Sequence, residues 1–253
     1  MAIRLFAMTC GWLTGPLSNF LEGESGRIRV PVPSFLIEHP DGRVLFDSGM
    51  HPEVQTNPAG RYGGVANFFD IEYRAGEEIS ARLRALGTDP VDIRYLVNSH
   101  LHFDHTGGNA LLPNARVVVQ RREWEAGERD EEIRRNFFFP ADYRTGQEVL
   151  RVDGEHDLFG DGRVTCIPTH GHTPGHQSLR VRLDGGTVVL TADACYLRRT
   201  LDELRLPEVV ADREAMLASL QRLRALRAAG ARLFYGHDPD FWATVPQAPL
   251  EIA

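Results

Sequence analysis

Three histidines and an aspartate lie within six residues of this chain, directly after a short apolar run at 93–98. In extended backbone, side chains two residues apart point to the same side, so His100 and His102 can bind one ion together. A turn at Asp104 and His105 then directs the next two side chains toward a neighbouring ion. Packing gives no reason to concentrate these residue types, and imidazole with carboxylate is a ligand set that suits zinc. The cluster therefore predicts a metal site at the end of a strand.

Short apolar runs punctuated by glycine, proline and aspartate recur along the chain and predict many short strands. Two helices, at 77–86 and 213–229, follow from apolar residues at helical spacing, the second with Asp212 as N-cap and Gly230 as its stop. The predicted strands are 3–7, 34–38, 44–47, 93–98, 116–120, 164–167, 178–183, 187–191 and 232–235.

Three further strand ends carry residues of the metal-binding type. One is followed by three candidate histidines, His170, His172 and His176, where a site needs one. Another ends at Asp193, whose carboxylate can bridge two ions, and the last ends at His237. With the first cluster these make seven ligands. One tetrahedral zinc ion takes three or four protein ligands, so seven predict two ions about 3.5–4 Å apart.

The charged residues exclude several functions. The chain has 253 residues, a net charge of -7 and 28 Lys+Arg residues, all of which are arginine. An acidic chain without a basic run is a poor nucleic-acid binder, and a chain without lysine has no Schiff-base chemistry and no phosphate-binding lysine. The three scattered cysteines indicate reduced thiols. Because no signal peptide and no apolar stretch of about 18 residues are visible, we expect a cytoplasmic protein that does not enter the membrane.

The order of these motifs resembles that of the metallo-β-lactamase superfamily, whose H-x-H-x-D-H motif matches residues 100–105. The likeness continues in the right order over about 140 residues. It implies an α/β fold, the αββα sandwich of two mixed β-sheets flanked by helices, formed by a single hydrolase domain at 1–253. It also implies two divalent ions, zinc first, with manganese, iron or cobalt as alternatives. The implied ligands are His100, His102, Asp104, His105, His172, Asp193 and His237.

Within that superfamily the chain is most similar to the N-acyl homoserine lactonases. The segments S-H-L-H-F-D-H-T-G-G-N, H-T-P-G-H-Q-S-L and D-A-C-Y carry this likeness. Aligning them makes His172 the ligand, leaves His170 as a neighbour, and gives His176 a supporting role. Tyr196 falls where those lactonases keep a tyrosine near the substrate carbonyl.

The resemblance implies hydrolysis of the lactone ring of N-acyl homoserine lactones by a hydroxide that bridges the two ions. Tyr196 would stabilise the developing oxyanion, and Asp104 would pass a proton to the leaving alkoxide. Alternative substrates within the fold are phosphotriesters, other lactones such as a pyridoxolactone, and glyoxalase II-type thioesters. The absence of lysine disfavours the last. The expected partner is a small lactone, and the resemblance leaves undecided whether the protein forms a homodimer.

Apolar clusters offer candidate walls for an acyl pocket, with core packing or a dimer contact as the alternatives. The candidates are Trp12, Leu13, Phe20, Leu21, Phe68, Phe69, Phe137, Phe138 and Phe139.

Overall fold

Two facing β-sheets form the centre of the protein, described by a computed structural model over residues 2–253. The first sheet has the strand order β4-β1-β2-β3-β5-β6-β7 and the second has the order β12-β11-β10-β9-β8. Both are mixed, since β3, β5, β6 and β7 run parallel, as do β11 and β12, whereas the other pairs are antiparallel. The strands are β1 Arg4–Pro16, β2 Arg27–His39, β3 Gly42–Phe46, β4 Asp70–Glu72, β5 Ile93–Val97, β6 Arg116–Gln120, β7 Val149–Val152, β8 His156–Asp157, β9 Val164–Pro168, β10 Gln177–Leu183, β11 Gly186–Ala192 and β12 Arg232–Tyr235.

Helices cover the outer face of each sheet. The α-helices are α1 Pro58–Tyr62, α2 Gly64–Phe68, α3 Ile79–Ala85, α4 Phe103–Thr106, α5 Arg121–Ala126, α6 Asp130–Arg135, α7 Pro140–Tyr143, α8 Arg198–Glu203, α9 Arg213–Ala228 and α10 Pro239–Trp242. The longest, α9, begins where the Asp212 side chain accepts a hydrogen bond from the Ala215 N–H. This cap satisfies one of the free N–H groups of the first turn.

Three packed layers hold this arrangement together. Side chains from the inner faces of both sheets, such as Ile37 and Leu179, share one buried cluster. On the outside of the first sheet, Leu83 of α3 packs into a second cluster, and on the outside of the second sheet Leu220 of α9 packs into a third. Strands alternate their side chains between the two faces, so each sheet is buried on both sides. The predicted αββα sandwich is confirmed.

The predicted strands lie where the structure has strands, with shifted ends. The strand predicted at 3–7 is longer, because β1 continues to Pro16 along β2. The strand predicted at 44–47 ends one residue early, because Asp47 turns out of the sheet with a φ of 58°. The short strands β4, β7 and β8 were not predicted, since two to four residues carry too little periodicity. Within residues 2–253, no helix is long and apolar enough to cross a membrane.

Candidate metal centre and substrate cavity

All seven predicted ligands meet at one edge of the sandwich, where strands of both sheets end. His100 and His102 follow β5, and Asp104 and His105 lie on the single turn of α4. The remaining three follow strands of the second sheet: His172 lies between β9 and β10, Asp193 comes directly after β11, and His237 comes two residues after the end of β12. The seven side chains are buried or nearly so.

The ligand atoms form two groups, each within 4.8 Å. We call His100, His102 and His172 the first ligand group, and Asp104, His105 and His237 the second ligand group. Asp193 lies within 4.8 Å of the first ligand group and also faces the second.

The two oxygens of Asp193 face different groups. Its Oδ2 lies 3.2 Å from Nε2 of His172 and 3.6 Å from Nε2 of His100. Its Oδ1 lies 3.1 Å from Nε2 of His237 and 3.3 Å from Nε2 of His105. A carboxylate shared in this way is the arrangement expected of a ligand common to two ions.

Buried atoms without partners show that these residues fit metal ions. Neither Asp193 Oδ1 nor His105 Nε2 makes a hydrogen bond within the described residues, although both are buried. In the first ligand group, His102 Nδ1 lies 2.8 Å from His100 Nε2 and 3.1 Å from His172 Nε2. Ligands of a tetrahedral zinc ion with bonds of about 2.0–2.1 Å stand about 3.3 Å apart, so this crowding of nitrogens fits a shared cation.

Burial sets the protonation of the two halves of the site. It lowers the pKa of His100 well below its usual value and that of His102 to about 3, so both rings are neutral and free to bind a cation. Burial acts to raise the pKa of Asp193, but the facing imidazoles of His105 and His237 hold it well below the usual range. On the other side of Asp193, its carboxylate raises the pKa of His105 well above the usual value and also raises the pKa of His237, although burial acts to lower both. The site therefore has neutral imidazoles on one side of an ionised carboxylate and imidazoles that hold a proton more strongly on the other.

Each histidine of the two ligand groups is held by a hydrogen bond through one ring nitrogen. The rings of His100, His105 and His172 donate to Ser99 Oγ at 2.9 Å, Asp47 Oδ2 at 2.8 Å and Tyr196 Oη at 3.3 Å. Two more rings donate to backbone carbonyls: His102 Nε2 to Asn136 at 2.8 Å and His237 Nδ1 to Pro31 at 2.7 Å. Such contacts fix the ring orientation and leave the opposite nitrogen free for a metal.

Asp47 contacts the site from behind and was missed in the sequence analysis. Its Oδ1 accepts from the Ser99 N–H at 2.7 Å, and its Oδ2 accepts from the Ser99 hydroxyl at 2.8 Å and from His105 Nδ1. Its positive φ marks a conformation that few non-glycine residues adopt. A carboxylate at the end of a predicted strand was the available signal, the same one that identified Asp193.

The backbone at the end of β11 also departs from regular strand geometry. Ala192 has a φ of 44°, which turns the next side chain, Asp193, into the site. Gly236 lies against this turn, because a Cβ on it would stand 2.4 Å from the Ala192 carbonyl oxygen. A glycine is required there for His237 to reach the same edge.

The two other histidines of the middle segment do not join either ligand group. His170 is half-buried and its Nδ1 donates to the His176 carbonyl. His176 is buried against Thr169, with its ring centroid 5.1 Å from that of His100. The structure thus brings His172, and neither neighbour, into the first ligand group.

A cavity of about 510 Å³ opens onto the site. Asp104, His172, Asp193, Tyr196 and His237 form its polar end. The other walls are mostly apolar: Leu13, Phe20, Tyr62, Val65, Phe68, Phe69, Phe103, Phe137, Phe139 and Val209.

Six of the nine predicted pocket residues line the cavity, and three lie elsewhere. Leu21 is fully buried in the core, Phe138 packs against Tyr143, and Trp12 lies under the Arg29 guanidinium.

Comparison with known proteins agrees with this geometry. The chain matches the metallo-beta-lactamase superfamily over residues 27–237. It is 39% identical to N-acyl homoserine lactonase AttM of Azorhizobium caulinodans, over 98% of this chain and 97% of that protein. It is 34% identical to N-acyl homoserine lactonase AiiA of Bacillus thuringiensis subsp. kurstaki, over 83% and 82%.

A solved structure of an N-acyl homoserine lactone hydrolase, with the product N-hexanoyl-L-homoserine bound at its catalytic metal centre, superposes with a TM-score of 0.89. The two chains are 28% identical, and the match covers 100% of each. The chain therefore belongs to the metallo-β-lactamase superfamily and, within it, to the N-acyl homoserine lactonase family of hydrolases.

Proposed function

We propose that this protein hydrolyses the lactone ring of N-acyl homoserine lactones at a centre of two divalent ions, zinc first. One observation carries the proposal: the cavity has the two ligand groups at one end and phenylalanine-rich walls along the rest. An N-acyl homoserine lactone has the same division, with a polar ring at one end and an apolar acyl chain at the other. The activity named for the relatives and the product found in the similar structure support the same choice.

The first ligand group would hold one ion and the second ligand group the other, with Asp193 shared between them. When bound, two such ions polarise an ester carbonyl and supply a hydroxide nucleophile at neutral pH. The protein keeps the ligands in place through the hydrogen bonds behind each ring, so the site is formed before substrate arrives.

Tyr196 would stabilise negative charge on the carbonyl oxygen. A His172 ring that ligates through Nε2 carries its proton on Nδ1, which faces the tyrosine oxygen at 3.3 Å. The hydroxyl accepts there, and its own proton stays free to donate into the cavity. Burial and the nearby carboxylates of Asp193 and Asp104 raise the pKa of Tyr196 well above 10, so it acts as a donor. A donor aimed at a developing oxyanion stabilises the transition state more than the ground state.

Asp104 would carry the proton. Its carboxylate lies in the cavity wall, with Oδ2 3.6 Å from His105 Nε2 and 3.7 Å from His237 Nε2. It can accept the proton of the attacking water and return it to the ring oxygen as the C–O bond breaks. The ring oxygen then leaves as a neutral hydroxyl.

The phenylalanine walls would bind the acyl chain. Phe20 packs edge-on against Tyr196 at 5.2 Å between ring centroids, so the apolar wall begins beside the reacting group. Phe69 packs on Phe20 at 6.5 Å and Phe68 packs on Phe69 at 5.3 Å, so the wall runs from Tyr196 out to Phe68, which is more than half exposed, as is Phe137. Each methylene buried along this wall contributes about 0.8 kcal/mol to binding.

We also propose that residues 1–253 act as one domain. The Ile252 N–H donates to the Leu5 carbonyl at 2.8 Å, and both side chains lie in the cluster between the sheets. The two ends of the chain therefore share one core. The homodimer and the cytoplasmic location stay predictions.

A substrate panel on zinc-loaded protein tests the function. Acyl homoserine lactones of several chain lengths, γ-lactones, paraoxon and S-lactoylglutathione would be compared by kcat/KM. We expect the highest kcat/KM values with the acyl homoserine lactones. Turnover confined to paraoxon would overturn the lactonase assignment while leaving the metal centre standing.

A further inference from the structure

A buried carboxylate outside the ligand set joins the two loops that carry the first ligand group. Glu123 lies on α5, directly behind β6, and its side chain is fully buried. Its Oε1 accepts from the Leu101 N–H at 3.1 Å, and its Oε2 accepts from the Gly175 N–H at 2.7 Å.

The two N–H groups stand next to ligands. Leu101 lies between His100 and His102, and Gly175 lies three residues after His172 in the loop between β9 and β10. The nitrogens of His102 and His172 that face each other across these loops are 3.1 Å apart. Their separation depends on how the two loops are set against each other, and Glu123 bonds to both.

The contact between α5 and the second loop leaves no space for adjustment. A Cβ on Gly175 would stand 2.2 Å from the Glu123 backbone nitrogen, so the loop lies directly on the first turn of the helix. Gln177 also joins the two loops that carry the first ligand group, by a hydrogen bond from its N–H to the Ser99 carbonyl at 2.8 Å. The two loops are thus joined by Gln177 at Ser99 and by Glu123 at Leu101.

The chemistry of the contact requires a carboxylate. Two N–H donors need two acceptor oxygens, whereas a glutamine offers one oxygen and one NH₂ group that would face a donor. Burial raises the pKa of Glu123 to about 7, while the hydrogen bonds from the Gly175 and Leu101 N–H groups act in the opposite direction and favour the ionised carboxylate. A buried charge without a cationic side chain is unfavourable unless other interactions offset it.

We propose that Glu123 is a positioning residue for the metal centre, which sets the first ligand group by holding both of its loops. The inference rests on the proposed metal centre. It assigns Glu123 no contact with substrate or ion, and it predicts that losing the carboxylate weakens one of the two metal sites and spares the other.

Glu123→Gln tests this by stepwise zinc affinity, measured on the full-length protein in competition with a chromophoric chelator. Outer partners of metal ligands typically contribute about 10- to 100-fold to affinity, so we expect one zinc dissociation constant to rise by that factor and the other to stay within about twofold. Excess zinc should restore kcat, because the catalytic groups themselves are unchanged. Combination with Asp47→Asn, which acts on His105, should weaken both sites.

Asp157→Asn is the matched control. This carboxylate also accepts from two backbone N–H groups, those of Phe159 at 3.3 Å and Gly162 at 2.6 Å, in a loop that carries no ligand. We expect it to lower the melting temperature while leaving both zinc affinities within about twofold of wild type.

Wild-type affinity for both ions in Glu123→Gln would overturn the proposal, and so would equal weakening of both sites. If that variant does not fold, Glu123→Asp applies the same criterion, since the shorter side chain keeps the charge but cannot reach both loops. If the wild-type protein itself binds no zinc, the proposed function fails, which this titration distinguishes from a failure of the Glu123 assignment alone.

Discussion

Replacing Asp47 with asparagine should prevent His105 from binding a metal ion, although no residue of the second ligand group is itself changed. In the protein, His105 Nδ1 donates to Asp47 Oδ2 at 2.8 Å, which leaves Nε2, facing Asp193, as the nitrogen that would bind a metal ion. The Ser99 N–H donates to the other carboxylate oxygen, Oδ1, at 2.7 Å, so an asparagine at this position must place its own oxygen there. In Asp47→Asn the NH₂ group must therefore replace Oδ2.

An NH₂ group at that position changes the tautomer of the ring. It donates to His105 Nδ1, which must then accept, and the ring proton moves to Nε2. A protonated Nε2 cannot bind a metal ion. The effect of losing an outer partner of a ligating histidine is about 10- to 100-fold in affinity. That factor corresponds to about 1.4–2.7 kcal/mol of binding free energy.

The assay is a zinc titration against a chromophoric chelator, with both dissociation constants fitted. Asp161→Asn is the control, because Asp161 Oδ2 forms an equivalent contact with His39 Nε2 at 2.9 Å on a part of the fold that holds no ligand. We expect Asp47→Asn to weaken the binding of one zinc ion and the control to weaken the binding of neither. Two unchanged constants in a folded Asp47→Asn protein would refute the tautomer argument. Equal loss at both sites would show that Asp47 acts on the fold.

Four further predictions follow from the same structure. Tyr196→Phe should keep both ions and lower kcat by about 10²- to 10³-fold, as the loss of one oxyanion donor does; unchanged kcat and KM in loaded protein would remove Tyr196 from the mechanism. Asp193→Asn should lose at least one ion by elemental analysis, and two retained ions would contradict the shared carboxylate. Phe68→Ala should raise KM for decanoyl but not butanoyl substrates by up to about tenfold, since only a long chain reaches the cavity mouth; an equal change for both would place Phe68 outside the acyl path. Burial raises the pKa of Cys166 to about 12 from a usual 9.0. Above pH 9 the unfolded chain therefore loses a proton that the native state keeps, and the free energy of unfolding falls as the pH rises. At pH 10.5 this loss is about 2 kcal/mol, which urea unfolding of wild type and Cys166→Ala at pH 8 and 10.5 would resolve as a smaller pH slope in the variant.

The seven side chains that meet at the site could be picked out from the sequence because short-range patterns mark them, and their role as metal ligands stays a prediction. His100, His102, Asp104 and His105 are neighbours in sequence, and the other three each follow a recognisable strand. Residues that act behind the ligands carry no such signal. Asp47 reaches Ser99 only because β3 and β5 pair side by side in parallel, with Phe46 opposite Val97.

Glu123 was beyond sequence reasoning for a related reason. Its two partners, Leu101 and Gly175, lie in loops that come from different sheets, so the contact depends on how the two sheets pack. A glutamate in the first turn of a helix is otherwise ordinary, because it complements the helix dipole. Nothing in its neighbourhood in the sequence distinguishes it from an exposed residue.

The phenylalanine triplet shows why apolar clusters could not be assigned. Phe137 has a φ of 55°, which breaks the local alternation. Phe137 and Phe139 line the cavity, whereas Phe138 packs against Tyr143 and His102 from behind. The three phenylalanines are equivalent in the sequence, and only the backbone conformation shows which of them line the cavity and which is packed in the core.

The central claim is that this cavity and these ligand groups together open a lactone ring. The most direct measurement follows the formation of the ring-opened acid from N-hexanoyl homoserine lactone by chromatography, with protein loaded with zinc, stripped by a chelator and reloaded. We expect the loaded protein to open the ring, the stripped protein to lose this activity, and the activity to return with zinc. Protein that holds two zinc ions per chain and leaves the lactone intact would contradict the central claim.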